Sequence, residues 1–568
     1  MSKPSDALNS PYLVVDVESN GKDFRHDPEA RLTGVAIAYR FNGEVFSLFH
    51  PWDQLPTEWA DVIRNHPCRV FHNAKYDLVA LATSGINVTH LPFYDTMLMG
   101  HWIDENMPNK SLDFMSKRYG GKPKLKPPEI KAAEKSGRWD LIPLPILAEY
   151  AKNDAFITLE LFEKLYPRFT EEGYAGELWD IEQKFVRLII RMESYGVRID
   201  KELCKSEIAY GIQRMEEISR ELKANVGSRD DLEVLLIDVL KLTPYKISEK
   251  TGKPSFDKES MAHYEFELEQ RNDTTAKLVL EYRGWQKAVS AYYKSYLQLC
   301  SRSQNVHPNF KLHGTRTGRL SCEKPNFQQV PRKSSSRWNR NNKAVIIARN
   351  GWVLFEADYA NLEFRLGAVY SKEPNMVKPL IAGVKPFDAM AELLHGPHWT
   401  DEQRQACKVE TYMTSYGAGT AKIAKVLGIS PEASKERRSR FWQAYPKLLA
   451  ITRKAQRNAE IRGYAPLWSG RRRHFPYKSE CHKAFNSIIQ GGAAELVKRI
   501  MLRLADLLDW DECRMLLQIH DSIVFEIRED KIDTWLPVIR TIMEDVGAIH
   551  SAFKLVPFPV DIKKWGEK

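Results

Sequence analysis

Cysteine is scarce in this chain and never arranged for metal binding: seven residues are scattered over 568 positions without one CxxC pair. That pattern argues against structural zinc and suits a reducing compartment. No apolar run approaches the roughly 18 residues a membrane-spanning helix needs, and the N-terminus lacks a signal-peptide core. A soluble, cytoplasmic protein without a membrane role is expected. Internal repeats and low-complexity segments are absent. Charge of one sign is also in short supply, because 84 Lys and Arg oppose 74 Asp and Glu for a net +10. Such an excess supports a polyanionic partner without establishing one. What is present is an ordinary globular composition, 43% hydrophobic and 28% charged, with length for three or four domains at roughly 150 residues each.

The chain is organised around Gly351 to Tyr370, GWVLFEADYANLEFRLGAVY. Val353 to Phe355 read as a buried strand, and Asn361 to Ala368 carry apolar residues at helix spacing. Asp358 falls between them, where a lone acid is more often a helix cap than a catalyst. A second acid answers it. In MLLQIHDSIVFEI, from Met515, two apolar runs flank a polar break, the pattern of a β-hairpin with Asp521 at its tip. Alone, Asp521 is a turn former; two acids raised on strand ends can instead share divalent cations, as phosphoryl transfer requires. Between them, RQACKVETYMTSYG places Arg404, Lys408, Tyr412 and Tyr416 four residues apart on one helical stripe. Two cations followed by two rings fit a triphosphate and a base, or else a solvated edge beside core tyrosines.

These three stretches, in this order, resemble motifs A, B and C of the family A DNA polymerases, the bacterial polymerase I and phage replicative enzymes. The resemblance implies a right-hand polymerase in an α/β multidomain chain. Its palm would hold two Mg2+ ions, or Mn2+, on Asp358, Asp521 and the Tyr359 carbonyl. Arg404, Lys408, Tyr412 and Tyr416 would bind the nucleotide, with Lys408 able to donate a proton to the leaving pyrophosphate. Glu363 matches the position that crowds a ribose 2′-hydroxyl, so deoxynucleotides are expected. Tyr412 stands where phage and mitochondrial members have Tyr and many bacterial ones Phe, which implies ready use of dideoxynucleotides.

The first ~170 residues read as α/β. Strands are expected at Tyr12 to Val17, Gly34 to Arg40 and Glu44 to Phe49, arranged as a meander, followed by CRVFHNAKYDLVAL as a strand entering a helix. Asp16 and Glu18 are two apart and leave one face of the first strand. Tyr150 and Asp154 are four apart on one helix. Any one of these acids suits a cap or a solvated site. Together, DVE at Asp16, HNAKYD ending at Asp77 and YAKND from Tyr150 resemble the motifs of 3′–5′ proofreading exonucleases, which have a ribonuclease H-like fold. Asp16, Glu18, Asp77 and Asp154 would hold two metals and Tyr150 would orient the attacking water. With all four acids present, an active site is expected.

From Glu177 the texture is helical. Ile181, Phe185, Leu188 and Met192 mark one stripe, Gly196 can end that helix and Asp200 can cap the next. The basic, tyrosine-rich LVLEYRGWQKAVSAYYKSYL suits a grip on a duplex backbone, or a solvated helix with an aromatic core. HGTRTGRLSCEKPNFQQVP resembles the family's TGRLS…PNLQ signature, implying that Arg319, Asn326 and Gln328 meet the minor groove, where donors test pair geometry without reading sequence. Similarity likewise makes Arg471 of GRRRHFP a template contact and Asn486, Gln490 and His520 DNA-facing.

Three departures stand out. Ser522 replaces the acid that usually follows the motif C Asp, the fingers segment KPFDAMAELLHG lacks the family's His, and His482 stands where a basic residue is usual. The expected boundaries are an exonuclease over 1–175 and a polymerase over 176–568, with thumb about 177–310, palm about 311–375 and 480–568, and fingers about 376–479. No 5′-nuclease segment and no large thumb insertion is expected. The expected protein is a monomeric, compact, phage-like DNA polymerase acting on primer–template DNA and deoxynucleoside triphosphates. The alternatives are an exonuclease whose polymerase half only binds DNA, and a non-catalytic DNA-binding protein.

Overall fold

The computed structural model describes residues 3–300, 304–330, 342–415 and 417–567. Tyr416 lies outside them. The chain divides into two compact units. One comprises Met1–Ser194, Phe310–Ser321 and Glu356–Ile562, the other Tyr195–Asn309, Cys322–Phe355 and Lys563–Lys568.

The first unit opens with a five-stranded sheet formed by β1 (Leu13–Ser19), β2 (Leu32–Phe41), β3 (Glu44–Pro51), β4 (Arg69–Phe71) and β5 (Phe93–Asp95), in the order β3-β2-β1-β4-β5. The meander is antiparallel, with Val14 opposite Ala38 and Ala38 opposite Ser47. β4 and β5 continue the sheet in parallel. β1 is therefore central and covered on both faces, which is why its residues other than Asp16, Glu18 and Ser19 are all apolar. The helices of this segment are α1 (Ala74–Thr83), α2 (Leu112–Arg118), α3 (Leu144–Glu171) and α4 (Glu177–Tyr195). α3 packs across β1, β2 and β3 through a stripe that includes Leu147, Ala151, Ala155, Phe162 and Leu165. Each large apolar side chain so buried contributes about 1.5–3 kcal/mol, and this stripe presents Tyr150 and Asp154, one turn apart, to the sheet.

The remaining part of this unit holds α5 (Leu362–Ser371), α6 (Pro386–His395), α7 (Asp401–Ser415) and α8 (Ala484–Leu507). A second sheet contains β6 (Trp352–Tyr359), the hairpin β9 (Cys513–Ile519) and β10 (Ser522–Arg528), and β11 (Val560–Lys564); a separate hairpin pairs β7 (Tyr464–Pro466) with β8 (Arg472–His474). The order of the second sheet is β9-β10-β6-β11. The boundary between the two units falls within β6 and β11.

The second unit is mainly helical. Asp200 caps Lys201–Glu221 by accepting from Leu203 N at 2.9 Å, and Asp257 caps Lys258–Glu269 by accepting from Ser260 N at 2.9 Å. Its core gathers Ile218, Leu236, Met261, Tyr264, Leu268 and Val279. Gly196, at φ 63°, ends α4 in the left-handed region, as a terminating glycine should.

Candidate functional site

Two acidic sites are built in the first unit. On β1, Asp16 and Glu18 point to one face and meet Asp154 of α3, the three offering oxygens within 4.8 Å of one another. Asp77, on the first turn of α1, is buried and accepts from Val17 N at 3.1 Å, between the two β1 acids. Burial pushes all four carboxyls up, and repulsion from neighbouring acids of the cluster adds to it at Asp16, Glu18 and Asp77. Asp16 is raised to about 7, first by desolvation and then by Asp154, while Glu18 and Asp77 lie well above the usual range. Asp154 is raised by burial, an effect opposed by Lys124. The Lys124 ammonium lies 2.5 Å from Asp154 Oδ2 and donates to the Tyr150 hydroxyl at 2.8 Å.

The turn that delivers Asp77 is held by another acid. Asp95, at the end of β5, accepts from Asn73 N (3.0 Å), Ala74 N (2.9 Å), Met97 N (2.9 Å) and Leu98 N (3.4 Å). It thus caps the helix at Thr96–Ile103 and fixes the left-handed Asn73 (φ 74°) that starts α1. Buried anions survive when donors converge on them in this way.

The second site surrounds the β9–β10 turn. Ile519 pairs with Ser522, so the two-residue turn is His520-Asp521, with His520 at φ 56°. Ser522 Oγ donates to Glu356 Oε1 at 3.2 Å, placing the turn beside β6 two residues before Asp358. β6 runs through Asp358 to Tyr359, longer than the Val353 to Phe355 run suggested, so Asp358 is a strand residue. The capping alternative falls: Asn361 (φ 58°) occupies the N-cap position of α5. Arg365 secures this corner by donating to the carbonyls of Ala360 (2.8 Å) and Pro557 (2.6 Å). Arg319 bonds both Glu363 of α5 and Asp521, the latter at 3.4 Å. Burial raises the Glu363 and Asp521 carboxyls, and the guanidinium opposes it in each case.

On α7, Arg404 is paired with Asp388 of α6, and Lys408 lies 5.8 Å from the Phe387 ring centroid. The Tyr412 ring also contacts Phe387, at 5.8 Å. Tyr412 lines a small cavity with Glu363, Phe364, Thr411, Phe485 and Ile489. Tyr359 is buried with its hydroxyl donating to the Met543 carbonyl at 2.6 Å. Asn486 and Gln490 sit one turn apart on α8, half-buried, and His520 is exposed. Asn326 and Gln328 belong to the second unit, where Gln328 N donates to Asn326 Oδ1 at 3.1 Å.

Arg471, expected at the template by similarity, is buried: its side chain is 5% exposed, 3.4 Å from Glu495 Oε1, and stacked over Trp102 at 4.9 Å. A Cβ on Gly318 (φ 78°) would lie 2.7 Å from its Nη1, so the guanidinium supports the turn leading to Arg319. Glu495 and the aromatic face draw it inward, where an unpaired cation would be costly.

Profile comparisons match DNA polymerase family A over residues 198–567 and a 3′–5′ exonuclease over residues 5–169. The chain belongs to DNA polymerase family A. It is 30% identical to the thermostable DNA polymerase I of Thermus filiformis over 436 residues, covering 73% of this chain and 50% of that protein. It is 27% identical to DNA polymerase I of Pseudomonas aeruginosa over 507 residues, covering 85% of this chain and 54% of that one. The chain thus spans about half the length of these curated relatives. Its fold matches the POL domain of Pol1 from M. smegmatis, solved in complex with DNA primer-template and dNTP, at a TM-score of 0.84 and 20% identity, covering 99% of this chain and 96% of that one.

As in the expectation from its motifs, this family A chain has a ribonuclease H-like exonuclease fold followed by a polymerase fold. No helix among the described residues is long and apolar enough to cross a membrane. Sequence reasoning passed over Lys124 and Asp95. The only signal for Lys124 was the lysine-rich GKPKLKP segment, and for Asp95 its place before an apolar helix. Hard divalent cations fit the donor set of the first site: carboxylates converge there, and the buried Asp154 Oδ1 has no hydrogen-bond partner among the described residues. At the second site, the half-buried carboxyls of Glu363 and Asp521 share the Arg319 guanidinium, and their hard oxygen donors are of the kind that hold divalent cations.

Proposed function

We propose that this family A chain is a DNA-templated DNA polymerase that extends a primer 3′ end and carries its own 3′–5′ proofreading exonuclease, acting in DNA replication. The observation that carries the reading is the presence, in one chain, of two separately built carboxylate sites, each on a strand beside a helix that supplies further polar groups. Asp358, Asp521 and the Tyr359 carbonyl would hold Mg2+ or Mn2+ at the polymerase site, and Asp16, Glu18, Asp77 and Asp154 at the exonuclease site, two ions each. Such ions neutralise charge on the attacking and leaving oxygens.

The protein's own groups do the rest. Arg404, released from Asp388, binds the triphosphate, and Lys408 donates a proton as pyrophosphate leaves. Tyr412 and Tyr416 bound the base and sugar, and Glu363 excludes a 2′-hydroxyl. Arg319, Asn326 and Gln328 test pair geometry from the minor groove, while Asn486, Gln490 and His520 face DNA. In the exonuclease, Tyr150 orients the water that attacks the terminal phosphodiester. The exonuclease would occupy 1–175 and the polymerase 176–568, with thumb, palm and fingers near the boundaries expected above. The enzyme would work as a cytoplasmic monomer on primer–template DNA and deoxynucleoside triphosphates.

One gel assay tests this. A labelled primer–template is incubated with and without nucleotides, using wild type, Asp358→Ala and Asp16→Ala. Expected is loss of extension alone in the first variant and of degradation alone in the second. Degradation without extension by wild type would replace the proposal with an exonuclease whose polymerase half only binds DNA.

A further inference from the structure

Lys124 reaches the Asp16–Glu18–Asp154 cluster from neither the sheet nor α3 but from the segment that follows α2. That segment is anchored along its length. Ser116 Oγ donates to the Lys122 carbonyl at 2.6 Å, Gly121 N to the Ser116 carbonyl at 2.7 Å, and Lys124 N to Asp113 Oδ1 at 3.1 Å. The ammonium is therefore delivered to a defined place, 2.5 Å from Asp154 Oδ2 and 2.8 Å from the Tyr150 hydroxyl, with its side chain 19% exposed. It also lines a cleft of about 710 Å3 whose wall carries Lys117, Arg118 and Lys126 beside Asp113 and Glu134. The lysine thus links a cation-rich cleft to the carboxylate cluster.

Three carboxylates confined within 4.8 Å repel one another strongly in a poorly solvated site. Keeping them together takes protons or positive charge, and Lys124 brings a fixed positive charge to the cluster. We propose that Lys124 is a positioning residue of the exonuclease site and its built-in counter-cation. It balances part of the cluster's charge when no metal is bound, thereby weakens divalent-ion binding, and holds Tyr150 in register for the attacking water. This rests on the exonuclease reading above.

The two roles predict a split that general damage would not produce. Mn2+ binding is measured by calorimetry on the full chain, with Asp358→Ala throughout to silence the polymerase site and Asp16→Ala added to identify the exonuclease contribution. Lys124→Met should bind Mn2+ about 10-fold more tightly, because one repelling charge is gone. Its kcat on single-stranded DNA should fall about 10–100-fold, the usual range for loss of a group that orients site residues. Lys124→Arg should restore most of both. Unchanged or weaker Mn2+ binding in Lys124→Met overturns the inference, as does an unchanged kcat. If wild type degrades no single-stranded DNA yet the Mn2+ affinities shift as stated, the exonuclease reading and the Tyr150 role fail and the counter-cation stands.

Discussion

The two acidic sites use the same parts in opposite ways. At the exonuclease-like site the acids stand on β1, α1 and the buried face of α3, and a balancing cation, Lys124, comes from the connecting segment after α2, which is tied both to α2 and to α3. At the polymerase-like site the cation is Arg319, on a glycine-containing turn propped from below by Arg471. The first cluster is assembled before any ligand arrives and is strained by its own charge. At the second, the Arg319 guanidinium bridges Glu363 and Asp521. The two sites differ more in where a balancing cation comes from than in how the acids are presented.

The sharpest way to break this comparison is Arg471→Ala. Arg471 shares Glu495 with Lys498, 3.3 Å from the same carboxylate, and also packs on Trp102; its removal should cost about 3 kcal/mol, the lower end for breaking a buried pair, in urea unfolding and should impair primer extension more than single-strand degradation. Equal loss of both activities would mean that Arg471 supports the whole unit and not the Arg319 turn.

Next is a pH effect at the contact between the exonuclease segment and β8. Glu105 accepts from His474 N (2.6 Å) and Arg473 Nη1 (2.7 Å) and pairs with His474 Nδ1 at 2.9 Å, while Glu172 lies 3.6 Å from His474 Nε2. These carboxylates raise His474 to about 9 despite its burial. A histidine raised on folding adds stability that is complete below its unfolded value near 6.5 and is lost as pH rises through about 9. The full effect is about 3 kcal/mol. Urea midpoints should therefore fall between pH 6.5 and 9, and His474→Gln should flatten that slope.

Smaller is Gly491→Ala on α8. Its Cβ would lie 2.8 Å from Leu467 Cδ1 and 3.2 Å from the Thr317 carbonyl, just before Arg319. Overpacking of this kind costs about 1–3 kcal/mol, and primer extension should suffer before exonuclease activity does. The smallest structural change is Tyr412→Phe, which deletes one hydroxyl. Extension should persist while dideoxynucleotide termination is suppressed; unchanged termination would remove Tyr412 from sugar selection.

Much of the site was legible because the signal was local. The β9–β10 hairpin with Asp521 in its turn, the i, i+2 pair Asp16 and Glu18, and the i, i+4 pair Tyr150 and Asp154 all follow from spacing within one element. The misses involve partners far apart in sequence. For Arg471 the sequence offered only a similarity-based template contact, and its burial against Trp102 and Glu495 depends on residues far away in the chain. Asp358 looked like a possible cap because the apolar signal ended at Phe355, whereas pairing within the second sheet carries β6 on to Tyr359.

The amino-acid order by itself determined which acids each strand and helix presents, since side-chain periodicity is set by backbone geometry within a few residues. Only the folded chain decided which cation answers each acid group. Lys124 and Arg319 find their carboxylates through contacts between separate elements, and burial then sets how strongly the charges are felt, a quantity no local pattern contains.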